Sequence, residues 1–257
     1  MNIRALLELC RISNLPTVWS NAVVGVFAGS LIADVDLEIA WFFAPLAAMP
    51  ISLIYCGGMV LNDLVDRHVD AEERPNRPIP SGRVSISNAR VMSLALLGIP
   101  VAFIACIEAL TQPLDGEVHF AATLTAIVLV MTVVLYNLVH QSQAISVILM
   151  GLCRVGVVLC AAALITGNEL YQLHDKATYA YGAALTLFIY TLAISIVARN
   201  EMQPRWFGGP KTIMNMIAGI PLLDAIWLVV MGLWPASLFC LACAGMTMLA
   251  HRKVAGS

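Results

Sequence analysis

The sequence predicts an all-α integral membrane protein, a bundle of about eight transmembrane helices in two four-helix halves. Three observations predict it. Of the 257 residues, 60% are hydrophobic and only 12% charged, with a mean hydropathy of +0.85, whereas soluble domains lie near ~45–50% apolar and ~25% charged. The apolar residues gather into eight runs, each close to the ~20 residues a helix needs to cross hydrocarbon. The basic residues fall almost entirely on one side of an eight-span arrangement. The net charge of −2 and pI of about 6.2 give no global basic field, so nucleic acid is not an expected partner.

The runs are Leu15–Ala33, Ala40–Leu61, Ala89–Leu110, Phe120–Leu138, Ala144–Ile165, Thr178–Ala198, Ile213–Met231 and Pro235–Ala250. Met1 to Arg11 is short and partly charged, and no small-residue cleavage site follows it, so the first span is expected to be retained. Pro16, Pro50, Pro100 and Pro221 fall in or near the runs, where neighbouring helices can satisfy the freed backbone groups. Arg4, Arg11, Arg67, Arg74, Arg77, Arg83, Arg90, Arg199, Arg205, Lys211, Arg252 and Lys253 share one side, leaving only Arg154 and Lys176 of the 14 Lys and Arg elsewhere. The excess of positive charge places both termini in the cytoplasm, and an even number of spans requires that they share a side. The polar loops long enough to hold a site, 67–88 and 199–211, fall on that face. Each half repeats an odd helix, an even helix and an acid- and Arg-bearing loop, a faint internal repeat. No linker divides the chain, so residues 1–257 are expected to form a single transmembrane domain.

Six of the seven cysteines lie inside apolar runs, Cys10 excepted. Cys240 and Cys243 have a C-x-x-C spacing but no neighbouring His or second pair, so packing of small residues in a buried helix is favoured over metal binding. Trp19, Trp41, Trp206, Trp227 and Trp234 mostly lie near span ends and read as interfacial anchors.

The chemistry concentrates in Asn62-Asp63-Leu64-Val65-Asp66-Arg67-His68-Val69-Asp70. At ~100° per residue Asp66 lies ~60° and Asp70 ~20° from Asp63, so three carboxylates share one helix face. Like charges at membrane depth are costly and need a cation among them. Oxygen donors at this spacing suit Mg2+, which bridges one or two carboxylates to substrate phosphates. The following Glu72-Glu73-Arg74-Pro75-Asn76-Arg77-Pro78-Ile79-Pro80-Ser81-Gly82-Arg83 stops the helix with prolines and supplies three arginines able to grip phosphate oxygens. The alternative is a solvated helix end whose acids and arginines pair among themselves.

N-D-x-x-D-x-x-x-D followed by R-P-x-R-P-x-P-S-G resembles the first signature of the UbiA superfamily of intramembrane prenyltransferases. Arg11-Ile12-Ser13-Asn14-Leu15-Pro16-Thr17, leading to Asn21 and Gly25, is similar to that family's N-terminal helix. Gly151-Leu152-Cys153-Arg154 and Ala198-Arg199-Asn200-Glu201 look most like its EboC-like branch. The resemblance implies that Mg2+ holds the diphosphate of a prenyl donor, the C–O bond ionises towards an allylic cation, and an electron-rich acceptor attacks. It implies metal ligation by Asn62, Asp63, Asp66, Asp70 and Glu201, with Asp63 and Asp66 central to catalysis. Asn21, Arg67, Arg74, Arg77, Tyr136, His140, Arg154, Arg199 and Lys211 are the expected substrate contacts. The implied partners are the prenyl diphosphate, a small-molecule acceptor of unknown identity and membrane lipid, with no protein partner required.

The sequence departs from the family where a second acidic motif is expected. Thr191 and Ala198 stand in place of aspartates, and only Glu201, with Asn200, offers oxygen to a second metal. His140 stands where many members have a lysine. Arg154 lies inside the fifth span, where an ionisable residue is a functional candidate by default, or else pairs with a buried acid for packing. Asp224, mid-span in the seventh run, is favoured as a polar helix–helix contact over an acceptor-site group or a proton relay. The eroded motif keeps open a second class, a membrane component that binds or moves a prenyl-lipid or secondary metabolite without forming a bond. An alcohol phosphotransferase is disfavoured because Arg67, not Gly, follows Asp66.

Overall fold

In the computed structural model the described residues are 3–111, 120–139, 143–172, 175–200 and 210–255. They form α1 (Ile3–Leu9), α2 (Leu15–Ile32), α3 (Leu37–Val65), α4 (Arg67–Glu73), α5 (Ile86–Thr111), α6 (Ala121–Val139), α7 (Gln143–Thr166), α8 (Ala177–Asn200), α9 (Pro210–Val230) and α10 (Trp234–Ala255). Short 3-10 turns cover Ile12–Asn14 and Gly167–Tyr171. Eight of the helices are long and apolar enough to cross a bilayer, and they coincide with the eight predicted runs. The chain is a multi-pass membrane protein.

α2 is the axis of the bundle. Fifteen of its 18 residues are buried, as expected of a helix that is apolar all round. It packs against α3, α7, α8, α9 and α10, so helices of both halves share one core. Gly25 and Gly29, one turn apart, let α2 reach the backbone of α7. A Cβ on Gly25 would lie 2.3 Å from the Val158 carbonyl oxygen, and one on Gly29 2.8 Å from that of Ala162. Small residues allow this approach, which replaces the hydrophobic drive that lipid cannot provide. Pro45, Pro50, Pro100 and Pro221 sit inside helices.

A smaller core caps the end of the bundle that carries the acidic cluster. Ala5 and Leu9 of α1 pack there with Val60 and Leu64 of α3 and with Ile79 and Val84 of the proline-arginine loop. Arg83 ties the layer together. It donates to both oxygens of Glu8 at 2.7 and 3.1 Å and to the Asn76 carbonyl at 2.5 Å, and the Glu8 carboxylate raises its already high pKa further. Gly82, with φ +73°, takes the left-handed turn that the loop needs.

Trp227 donates its indole N–H to Thr186 Oγ1 at 3.1 Å, and Trp19 donates to Ser52 Oγ at 3.0 Å. Both are interhelical contacts, in which a hydroxyl on the neighbouring helix satisfies the indole. Trp206 lies outside the described residues. Cys240 and Cys243 are fully buried, free thiols in the core.

Candidate functional site at the acidic cluster

The stretch read as one helix breaks at Asp66. α3 ends at Val65 and α4 begins at Arg67, but the Asp66 N–H still donates to the Asn62 carbonyl and that of Asp70 to Asp66, both at 2.9 Å. The register therefore survives the break. Asp63 and Asp70 converge on Nη1 of Arg77, at 3.3 and 2.5 Å. The carboxylates are buried, with side chains 6% and 4% exposed. Asp66, at the break, is half-buried.

A second guanidinium arrives from the chain entry to α2. Arg11 adopts a left-handed backbone, φ 45° and ψ 50°, between α1 and the 3-10 turn. Its Nη2 donates to Asp63 Oδ1 at 3.0 Å and to Asn62 Oδ1 at 3.3 Å. A left-handed non-glycine residue costs ~1–2 kcal/mol, which its two bonds to the cluster offset. Arg74 lies further out, 3.9 Å from Asp70. Arg67 donates to the Leu64 carbonyl at 2.9 Å, capping the end of α3. Arg83 braces α1 and its own loop, because α1 brings Glu8, distant in sequence, beside it.

Two carboxylates and an amide oxygen thus meet two guanidinium groups. Among the described residues no three His, Cys, Asp or Glu side chains are placed to hold a metal unaided. The donor set nevertheless fits Mg2+. It is all oxygen, two carboxylates converge on one point now held by a cationic nitrogen, and Mg2+ typically completes such a pair with water and phosphate oxygens.

The cluster stands at one end of an interior cavity of about 250 Å³. Arg11, Asn14 and Asn62 form that end, and Ile51, Ile54, Val133, Val157 and Ile220 line its walls. Tyr55, Tyr136, Asn137, Arg154 and Thr191 add polar groups inside it. Arg154 donates to Thr17 Oγ1 at 3.0 Å, the Thr17 carbonyl at 3.4 Å and Asn21 Oδ1 at 2.9 Å. Asn21 in turn donates to Asp224 Oδ2 at 2.7 Å. The intramembrane arginine and acid are thus joined through an amide, and Asn21 is enclosed by protein.

Tyr136 reaches the cavity. His140 and Glu201 lie outside the described residues, as do the side chains of Arg199, Asn200 and Lys211. Thr191 lines the cavity, and Ala198 lies further along α8. Sequence reasoning did not select Tyr55 or Asn137 as site residues, and it noted Asn14 and Thr17 only within the family's N-terminal pattern. Arg11 was noted in the family's N-terminal pattern and among the basic residues that set the orientation, not as a partner of the acids.

In the described residues eight spans enclose an apolar cavity with paired acids and arginines at one end, which defines a polytopic helical membrane bundle with a polar site at its edge. The model of the UbiA prenyltransferase family matches residues 22–256, and the chain belongs to that family. It is 41% identical to a digeranylgeranylglyceryl phosphate synthase of Methanopyrus kandleri over 38% of this chain and 34% of that protein. It is 38% identical to the same-named protein of Sulfolobus acidocaldarius over equal shares, 38% and 34%. The chain thus spans about a third of the length of these relatives. Among solved structures, a digeranylgeranylglyceryl phosphate synthase superposes with a TM-score of 0.56 at 15% identity, over 97% of this chain and 94% of that one. A UbiA homolog from Archaeoglobus fulgidus, bound to GPP and Mg2+, superposes with a TM-score of 0.54 at 17% identity, over 95% and 85%. At these identities the likeness is one of fold.

Proposed function

We propose that the chain transfers a prenyl group from a prenyl diphosphate to an electron-rich acceptor, aromatic or lipid-like, within the membrane, with Mg2+ as its metal. The carrying observation is the convergence of Asp63 and Asp70 on Arg77, with Arg11 alongside, at the end of an apolar cavity. Family membership and the names of the archaeal relatives support it. The whole chain acts as one prenyltransferase-like domain.

Asn62, Asp63, Asp66 and Asp70 would hold the metal, and Glu201 would offer oxygen to a second one. Bound Mg2+ would supply positive charge to the diphosphate oxygens. Arg77, Arg11 and Arg74 turn from carboxylate to diphosphate, with Arg67, Tyr136, His140, Arg199 and Lys211 as further contacts. The donor's C–O bond breaks with both electrons leaving on diphosphate. An acceptor electron pair forms the new bond to the allylic carbon, and the acceptor loses a proton. Fixed cations stabilise the departing anion, and the apolar walls keep water from the cation. The basic residues at this end of the bundle support a site near the cytoplasmic face with both termini cytoplasmic.

A second reading rests on Thr191 and Ala198, which offer no carboxylate on α8: binding or movement of a prenyl-lipid or metabolite without transfer. Purified protein, a panel of prenyl diphosphates and extracted acceptors separate the two. Transfer predicts Mg2+-dependent diphosphate release that Asp63→Ala or Asp66→Ala abolishes. Tight Mg2+-dependent binding without turnover supports the second reading, and no binding removes both.

A further inference from the structure

We propose that His251 of α10 is a positioning residue for the diphosphate end of the site: it anchors Asn14, and through Asn14 the turn that delivers Arg11 to the acidic cluster. This rests on the prenyl-transfer reading and extends its site to the last helix.

His251 is 8% exposed. Its Nε2 lies 2.8 Å from Oδ1 of Asn14, 237 positions earlier in the chain. An amide oxygen can only accept, so Nε2 carries the proton and donates. Burying polar groups is costly unless they are hydrogen-bonded, so this bond ties α10 to the entry of α2.

Asn14 stands at the N-cap of α2. An asparagine there usually turns its oxygen to a free N–H of its own helix, but this one makes no such capping bond. Its oxygen is given to His251 instead, and its side chain also hydrogen-bonds the Tyr55 hydroxyl of α3. One amide at the end of the cavity therefore joins α10, α3 and the turn before α2. Capping is forgone for a contact between distant helices.

The backbone carries this anchor to Arg11. The Asn14 N–H donates to the Arg11 carbonyl at 3.1 Å and closes the 3-10 turn Ile12–Asn14. So short a 3-10 turn has poor hydrogen-bond geometry and little stability of its own. Arg11 also enters it left-handed, at φ 45°, a conformation that a non-glycine residue leaves unless it is held. With the site empty, the bonds of Arg11 to Asp63 and Asn62 hold it. When Arg11 turns from carboxylate to diphosphate those bonds are given up, and the anchor at Asn14 is what keeps the turn. The guanidinium then meets the donor already placed, which lowers the ordering cost of binding.

The test uses the full chain in lipid nanodiscs with Mg2+. Equilibrium binding is measured for geranyl and geranylgeranyl S-thiolodiphosphate, two non-hydrolysable prenyl diphosphate analogues. His251→Leu should weaken binding roughly two- to ten-fold, the worth of one hydrogen bond. His251→Gln, whose amide can donate from nearly the same place, should restore most of it. Asn14→Ala removes the same bond from the other side and should match His251→Leu, so the proposal stays testable if one of the two variants does not fold. With Arg11→Met in place, neither substitution should weaken binding further, because a residue that acts through Arg11 cannot add to its loss. A bond that merely stabilises the bundle would lower the melting temperature and leave affinity unchanged. That outcome, failure of His251→Gln to restore binding, or losses that add in full to that of Arg11→Met overturns the proposal. Failure of both analogues to bind the unsubstituted protein would instead remove the prenyl-transfer reading beneath it.

Discussion

Arg77 is the residue on which the acidic cluster depends. It contacts two buried carboxylates through one nitrogen, so its removal strands charge that burial keeps from water. Losing one partner of a buried ion pair costs ~3–5 kcal/mol. Arg77→Ala should therefore lower thermal stability in detergent by about that amount, and millimolar Mg2+ should restore more stability to this variant than to the unsubstituted protein. Coincident melting curves for the two proteins, with no added response to Mg2+, would show that the pair carries no such weight. Part of this site was legible in the sequence. The seven-residue step from Asp63 to Asp70 put both carboxylates on one helix face, and the structure keeps that face despite the break at Asp66. The identity of their partners was not legible. Arg11 reaches Asp63 across 52 positions from a left-handed turn, and Arg83, adjacent to the motif, is drawn instead to Glu8 of α1.

At the scale of elements, two kinds of contact hold the site in place, and they differ greatly in weight. The Glu8–Arg83 pair joins α1 to the loop, but its side chains are 44% and 37% exposed, and exposed pairs contribute ~0–1 kcal/mol. Glu8→Gln should leave the melting temperature nearly unchanged while hydrogen exchange in α1 accelerates. Unchanged exchange there would show that the apolar contacts of Ala5 and Leu9 suffice. The α2–α7 contact is different, because backbone meets backbone at Gly25. Gly25→Leu should cost more than the ~1–3 kcal/mol typical of overpacking and disturb the cavity wall that these helices share. Gly98→Ala in α5 meets nothing within 4 Å and should be neutral or stabilising by ~0.5–1 kcal/mol. Equal thermal shifts for both variants would refute the close approach of α2 and α7.

At the scale of the molecule, eight spans place both termini, the acidic cluster and the proline-arginine loop at one end of the bundle. The opposite end carries Asp34, whose carboxylate pairs with Lys176 at 3.1 Å. With the basic end in the cytoplasm, a cysteine replacing Glu72 should react with an impermeant maleimide only after cells are opened, and one replacing Lys176 should react in intact cells. The reverse pattern would invert the proposed orientation. Helix number, the membrane as solvent and the oxygen-rich cluster followed from composition and period alone. Those properties depend on local residue spacing and on the cost of placing polar groups in hydrocarbon, which every stretch of sequence carries with it. The partnership of Arg77 and Arg11 with the acids, the Arg154–Asn21–Asp224 chain and the place of Thr191 on the cavity wall were decided only in the tertiary structure. Each joins or encloses groups from different elements, so it depends on how the helices and the loops between them close around one cavity.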